Sequence, residues 1–195
     1  MAYLLDFIEP IGDISLWAMD ETGKRLESNN FYSWSPLGKP TSIERNGCHK
    51  GLNIIGATET SKSFDFIYDE YTKNEGSVTA AHIVRFLKHL LLYDKSRGVN
   101  LSIIQLDNAR IHKAIEVKQF VKEHKSDLVL IFQPPYSPGL NPQENMWNWM
   151  KKFISEAKAA KNEHELSVRV KAFKAYVSAR PNDVKRWLYA RNFFK

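Results

Sequence analysis

The sequence predicts an α/β domain: a mixed five-stranded sheet flanked by helices, with extra helices at the C-terminal end. Three features carry this expectation. Three strand-like runs come before the first helical periodicity, two short apolar runs then alternate with helical stretches, and the last third has helical spacing. The 195 residues suit one domain, or a core with a short helical appendage, and 43% apolar content supplies a real core.

Residues 14–19 (ISLWAM) have the length and alternation of a strand, which is expected to end on Asp20 and Glu21. A polar, turn-rich stretch over 22–30 leads to the aromatic run 31–34 and the turn at 35–40. Residues 52–57 and 64–68 read as two more strands separated by a polar turn. The period then changes, because Ile83, Phe86, Leu87, Leu90 and Leu91 fall on one face of a helix over 79–93. Residues 101–106 (LSIIQL) form a short, mostly apolar run typical of a strand covered on both faces, ending on Asp107. A helix over 111–124, a buried strand over 128–132, helices over 141–160 and 163–178, and a short helix after Asn182 complete the order. A ribonuclease-H-like domain has this order.

Composition narrows the function classes. No apolar stretch is long enough to span a membrane, and the N-terminus lacks a basic segment followed by an apolar one, so no signal peptide is expected. The single cysteine, Cys48, can build neither an internal disulfide nor a cysteine-rich zinc site, and a reducing compartment is the default. The net charge of +6 is unevenly spread. Residues 145–195 hold 12 Lys/Arg against 4 Asp/Glu, while residues 1–144 hold 16 against 18. Such a basic quarter suits a surface that meets phosphate, although an ordinary solvated helical face has the same composition.

Three acidic residues stand out. Asp20 and Asp107 each follow an apolar run, and strand ends are where sites cluster in open α/β sheets. Either is equally at home as a turn residue or a helix cap. Glu144 lies in Asn141-Pro142-Gln143-Glu144, which reads as N-cap, N1, N2 and N3 of a helix, the spacing of a capping box. Capping and catalysis are compatible there, since a first-turn carboxylate on a rigid helix is well placed to project into a site.

The neighbouring residues carry a resemblance. The segment from Leu106 to His112 (LDNARIH) resembles the second-aspartate motif of mariner-like DDE transposases. The block from Gln133 to Trp147 (QPPYSPGLNPQENMW) is similar to the segment holding that superfamily's third acidic residue, and Met19-Asp20-Glu21-Thr22 to its first-aspartate motif. Trp34 and the Gly38-Lys39-Pro40 turn match the segment that usually follows. The resemblance runs from about residue 14 to residue 154 and is closest to the insertion-sequence branch of bacteria and archaea. The 36 residues between Asp107 and Glu144 slightly exceed the usual spacing of that branch.

The resemblance implies a ribonuclease-H-like catalytic domain over 1–160, with 161–195 as a basic helical extension of it. It implies Asp20, Asp107 and Glu144 as catalytic residues that bind two Mg²⁺ ions, Mn²⁺ being able to substitute. Carboxylates suit that task because Mg²⁺ prefers hard oxygen ligands, and a pair of ions about 3.5–4 Å apart can serve attacking and leaving oxygens. The implied reaction is metal-dependent cleavage of DNA at element ends, followed by strand transfer into target DNA. Implied partners are double-stranded DNA and a second copy of the chain, in a prokaryotic cytoplasm at the nucleoid. No segment corresponds to the helix-turn-helix region that finds terminal repeats, as expected of an excised domain, a split reading frame or a decayed element. Two alternatives stay open: an inactive DNA-binding or assembly module, and a nuclease acting on RNA–DNA hybrids.

Around the trio, Asn108 is a candidate to orient a ligand, and His112 either does so or packs its helix on the sheet. Arg110, Lys113, Lys151 and Lys152 are candidate DNA contacts, with Lys158 and Lys161 further along. Glu21 would face away from Asp20 if the strand continued and is not taken as catalytic. Trp147, Trp149 and Met150 read as packing residues, Pro134, Pro135 and Pro138 as stiffeners of the loop before Glu144, and Cys48 as a bystander.

Overall fold

The computed structural model describes residues 2–26, 35–39, 50–73, 76–134, 138–155 and 160–193. The expectations for residues 31–34, Pro40, Cys48, Pro135 and Lys158 lie outside the described residues.

Five strands form one sheet in the order β3-β2-β1-β4-β5. They are β1 (Ile14–Arg25), β2 (Gly51–Glu59), β3 (Phe66–Thr72), β4 (Leu101–Leu106) and β5 (Leu128–Phe132). The first three pair antiparallel, and β4 and β5 join parallel to β1 and to each other. Helix α2 (Ala80–Ser96) connects β3 to β4, and α3 (Ile115–Glu123) connects β4 to β5. Helices α4 (Pro142–Ser155), α5 (Glu163–Ser178) and α6 (Pro181–Leu188) follow, and α1 (Ala2–Ile8) precedes β1.

Alternation along β1 assigns the two faces of the sheet. Trp17 and Met19 point toward α2 and α3, into a core with Phe86, Leu90, Leu106 and Val117. The opposite face is covered by α4, α5 and α6, where Ile54 and Phe66 meet Met146, Trp147, Val170 and Phe173. Asp94 of α2 pins the first face internally: its Oδ2 accepts from Ser15 Oγ at 2.5 Å, Trp17 Nε1 at 2.9 Å and Ser102 Oγ at 2.6 Å. Three donors on one buried carboxylate oxygen tie β1, β4 and α2 together.

Local signals set most boundaries. Asn162 caps α5 by accepting from Glu165 N at 2.8 Å, and Pro181 opens α6 with its φ already helical. Three elements differ from expectation. β1 does not end at Asp20 but runs to Arg25, because β2 keeps pairing with it as far as Arg25↔Gly51, beyond the end of β4. The helix expected over 111–124 is divided into a 3-10 turn, Arg110–Lys113, and α3, separated by an extended Ala114 at ψ 156°. Helix α1 was not foreseen. Seven residues are too few to hold a helix alone. Burial of Leu5 and Ile8 against Leu16, Ile103 and Ala190, with ion pairs from Arg191 to Asp6 and Glu9, holds it in place.

Candidate active site

The register between β1 and β4 brings two of the acidic residues together. Ala18 lies opposite Gln105 in this parallel pair, and two residues on in each chain stand Asp20 and Asp107. Both therefore lie at the same level on adjacent lines of the sheet. Asp20 sits within the longer β1, and Asp107 immediately after β4.

Helix α4 crosses the same face and delivers the third. Its start is tethered from both sides: Gln105 Nε2 of β4 donates to the Leu140 carbonyl at 2.8 Å, and Thr58 Oγ1 of β2 donates to Gln143 Oε1 at 2.7 Å. Asn141 caps the helix as its sequence suggests, its Oδ1 accepting from Gln143 N at 3.1 Å. The reciprocal half of the capping box is not formed. The Glu144 carboxylate makes no bond back to Asn141 N and is exposed in the first turn. One turn on, the buried Trp147 donates through Nε1 to Asp20 Oδ2 at 3.2 Å. Its indole fits because the residue facing Asp20 on β2 is Gly56, where a Cβ would come within 2.4 Å of Trp147 Cη2.

The electrostatics of Asp20 follow from burial and from this proximity. The Asp20 carboxyl is pushed up to about 7, first by burial and then by the negative charges of Glu21, Glu144 and Asp107. Burial is the larger cause, and the neighbouring acids add to it.

His112 is the best-anchored member of the group. Its imidazole is fully buried, with Nε2 2.8 Å from Glu21 Oε1 and Nδ1 2.9 Å from Asp107 Oδ1. Burial works to lower its pKa, but the hydrogen bonds and charges of Glu21 and Asp107 outweigh it, and the net shift is upward. Both ring nitrogens face acceptor oxygens, which only the imidazolium can satisfy with two donors. Asn108 is turned elsewhere: its Nδ2 donates to the Gln133 carbonyl after β5, and its Oδ1 accepts from Lys113 Nζ at 2.6 Å. It steadies the loop and is not bonded to a carboxylate of the trio, contrary to the orienting role expected from its position.

Among the candidate DNA contacts, Arg110 and Lys113 are exposed on the 3-10 turn next to Asp107. Lys152 is exposed and Lys151 half-buried on α4. Lys152 lines a surface groove of about 610 Å³ together with Asn148, Trp149, Tyr176 and Trp187. Lys161 is exposed just before α5. Two further residues pack against the candidate trio. Glu21 faces away from Asp20, as the strand pattern predicts, but into His112. Gly56 carries a local signal, since a glycine inside an apolar strand marks the close approach of another group, here Trp147.

Three carboxylates are the hard oxygen donors that a divalent cation takes, and their mutual repulsion fits such an ion. Among the described residues no three acidic, histidine or cysteine side chains stand close enough together to chelate one.

A mixed sheet of this order, with helices on both faces and acidic residues at the β1–β4 junction, is a ribonuclease-H-like domain. The chain belongs to the DDE superfamily endonucleases, whose family model matches residues 15–167. Among solved structures it is similar to the Mos1 transposase paired-end complex with left transposon end, at 17% identity and a TM-score of 0.69 over 98% of this chain and 57% of that one. It is also similar to the Mos1 mariner paired end complex with Mn, at 16% identity and a TM-score of 0.62, over 100% of this chain and 60% of that one. The Mos1 transposase catalytic domain with Raltegravir and Mg follows at 18% identity and a TM-score of 0.59, over 98% and 83%. At these identities the likeness establishes the fold. The chain spans 57% of the length of the first of these proteins. No curated protein sequence matches it.

Proposed function

We propose that this chain is the catalytic domain of a transposase, which cleaves DNA at the ends of a mobile element and joins them to target DNA. The observation that carries this reading is the placement of Asp20 and Asp107 at one level of adjacent strands, with Glu144 on the helix that crosses there, near enough for their charges to add to burial in raising the Asp20 carboxyl to about 7. Family membership and the metal-containing Mos1 structures support it. The three carboxylates would hold divalent metal, Mg²⁺ or Mn²⁺, and two ions would activate the attacking oxygen and stabilise the leaving one. Binding would call on the exposed Glu144, whose side chain is free to turn, and on the outward oxygen of the half-exposed Asp107.

The chain's own residues do the positioning. Trp147 holds one oxygen of Asp20, the Ala109 amide holds one oxygen of Asp107, and His112 bonds the Asp107 carbonyl and faces that same carboxylate oxygen. Arg110, Lys113, Lys151 and Lys152 would neutralise DNA phosphates on either side. The Pro/Asn block over 133–147 supports placement in the insertion-sequence branch, with paired ends held by two copies of the chain. The basic helices over 161–195 are read as an extension of the catalytic domain.

The test is cleavage of a DNA duplex carrying the cognate ends, with Mg²⁺ or Mn²⁺ and a DNA-recognition region supplied. Wild type should cut only with metal, and Asp107→Asn should reduce cutting to background with an unchanged circular dichroism spectrum. Equal cutting by the substituted chain would overturn the assignment.

A further inference from the structure

We propose that Glu21 and His112 form a positioning pair for Asp107, holding its carboxylate so that one oxygen is committed to the protein and the other is left for metal. The inference rests on the reading of Asp107 as a metal ligand. It gives a role to two residues that the trio alone does not explain.

The geometry is specific. Glu21 projects from β1 on the face opposite Asp20, and its Oε1 lies 2.8 Å from His112 Nε2. The other ring nitrogen lies 2.9 Å from Asp107 Oδ1 and 3.2 Å from the Asp107 carbonyl oxygen. The same Oδ1 accepts from Ala109 N at 2.8 Å. Asp107 Oδ1 is thus held by the Ala109 amide and faces the imidazole as an ion pair, the ring's hydrogen bond going to the backbone carbonyl of the same residue, while Oδ2 has no bonding partner among the described residues and the side chain is 49% exposed. The imidazole itself is 0% exposed. A buried ring bonded at both nitrogens cannot turn without losing both contacts, so Glu21 fixes the ring, and the ring holds the Asp107 backbone and sets a cationic face against its carboxylate.

This is the arrangement by which groups behind a metal ligand set its orientation, and loss of such a group costs about 10- to 100-fold in metal affinity or activity. The pair also crosses the sheet. Asp20 and Glu21 are consecutive, so β1 serves the site from both faces, one residue within it and the next reaching it through His112.

The experiment measures Mn²⁺ binding to the full chain directly, by electron paramagnetic resonance of the free ion, for Glu21→Ala, Glu21→Gln, His112→Phe and Asp107→Asn. Glu21→Ala and His112→Phe should each raise the Kd for Mn²⁺ by about 10-fold or more. Glu21→Gln, whose amide oxygen can still accept from the ring, should recover most of the affinity. A purely structural role would lower the melting temperature but leave the affinity of the folded protein alone. If His112→Phe does not fold, the partly exposed Glu21 carries the test through its alanine and glutamine variants. Wild-type affinity in folded Glu21→Ala, with binding lost in Asp107→Asn, overturns the positioning pair and leaves the metal site standing. Unchanged binding in Asp107→Asn overturns both.

Discussion

Trp147 Nε1 donates to Asp20 Oδ2 across 3.2 Å, so a residue of the hydrophobic core is bonded directly to a carboxylate of the candidate site. The indole is 1% exposed and packs edge-on to Phe66 with ring centroids 5.9 Å apart. Packing of α4 on the sheet and orientation of Asp20 are therefore one event. A shift of the helix moves the acid.

Trp147→Phe separates the two roles, because a phenyl ring retains most of the packing and cannot donate. Loss of one hydrogen bond to a carboxylate is worth about 1.5–3 kcal/mol. Metal-dependent DNA cleavage by this variant should fall about tenfold or more at saturating Mg²⁺, with only a modest drop in melting temperature. Rates within twofold of wild type would show that Asp20 needs no such anchor.

Gly56→Ala tests the space behind that bond. The new methyl would meet Trp147 Cη2 at 2.4 Å and Phe66 Cε2 at 3.1 Å, within a packed core. Overpacking of this kind costs about 1–3 kcal/mol, which urea denaturation can measure. Combining it with Trp147→Phe should restore part of the loss, since the smaller ring frees the contact. Additive losses would place the clash elsewhere.

Asp20→Asn should stabilise the metal-free protein. The carboxyl's rise to about 7 reflects burial first and then the charges of Glu21, Glu144 and Asp107, none of which penalise an amide. A shift of this size is at most about 4 kcal/mol, and partial solvent access reduces it to about 1–2 kcal/mol. The amide oxygen can still accept from Trp147. Thermal melts at pH 8 should therefore show the variant more stable than wild type without metal. With Mn²⁺ the order should reverse, the wild type gaining stability that the variant does not.

The clamp between α1 and the C-terminal turn should weaken in acid. Arg191 Nη2 lies 2.7 Å from Glu9 Oε2, and Tyr189 OH donates to Glu9 Oε1 at 2.7 Å. The bond from Arg191 holds the Glu9 carboxyl below its ordinary value, against a smaller opposing effect of burial, with Tyr189 adding to the lowering. A lowered acid contributes stability above its unfolded-state pKa and loses it as the pH falls through the folded-state value. Glu9→Gln should thus cost up to about 1 kcal/mol at neutral pH. Melting curves taken through the carboxylate range should converge with wild type in acid, and a difference that persists there would count against the ion pair.

The order of elements and the cap of α4 were legible in the residues, because periodicity and Asn-Pro at a helix start act over a few neighbours. The extent of β1 was not, since Asp20 to Arg25 is polar and its strand state depends on a ladder to β2, distant in sequence. Helix α1 was hidden for the same reason, being held by Leu16, Ile103 and Arg191.

The capping box shows the boundary within a single motif. Asn141 caps as its type requires, but the Glu144 side chain is free to choose between cap and solvent, and it is found exposed. What the amino acids establish alone is which chemistry is present: three carboxylates, a basic C-terminal quarter and a proline-rich loop ahead of Glu144. What folding adds is which groups touch. Parallel register sets Asp20 beside Asp107, and the pleat turns Glu21 away from one and, through His112, back to the other. Contacts of that kind join residues some 90 positions apart, and no local pattern encodes them.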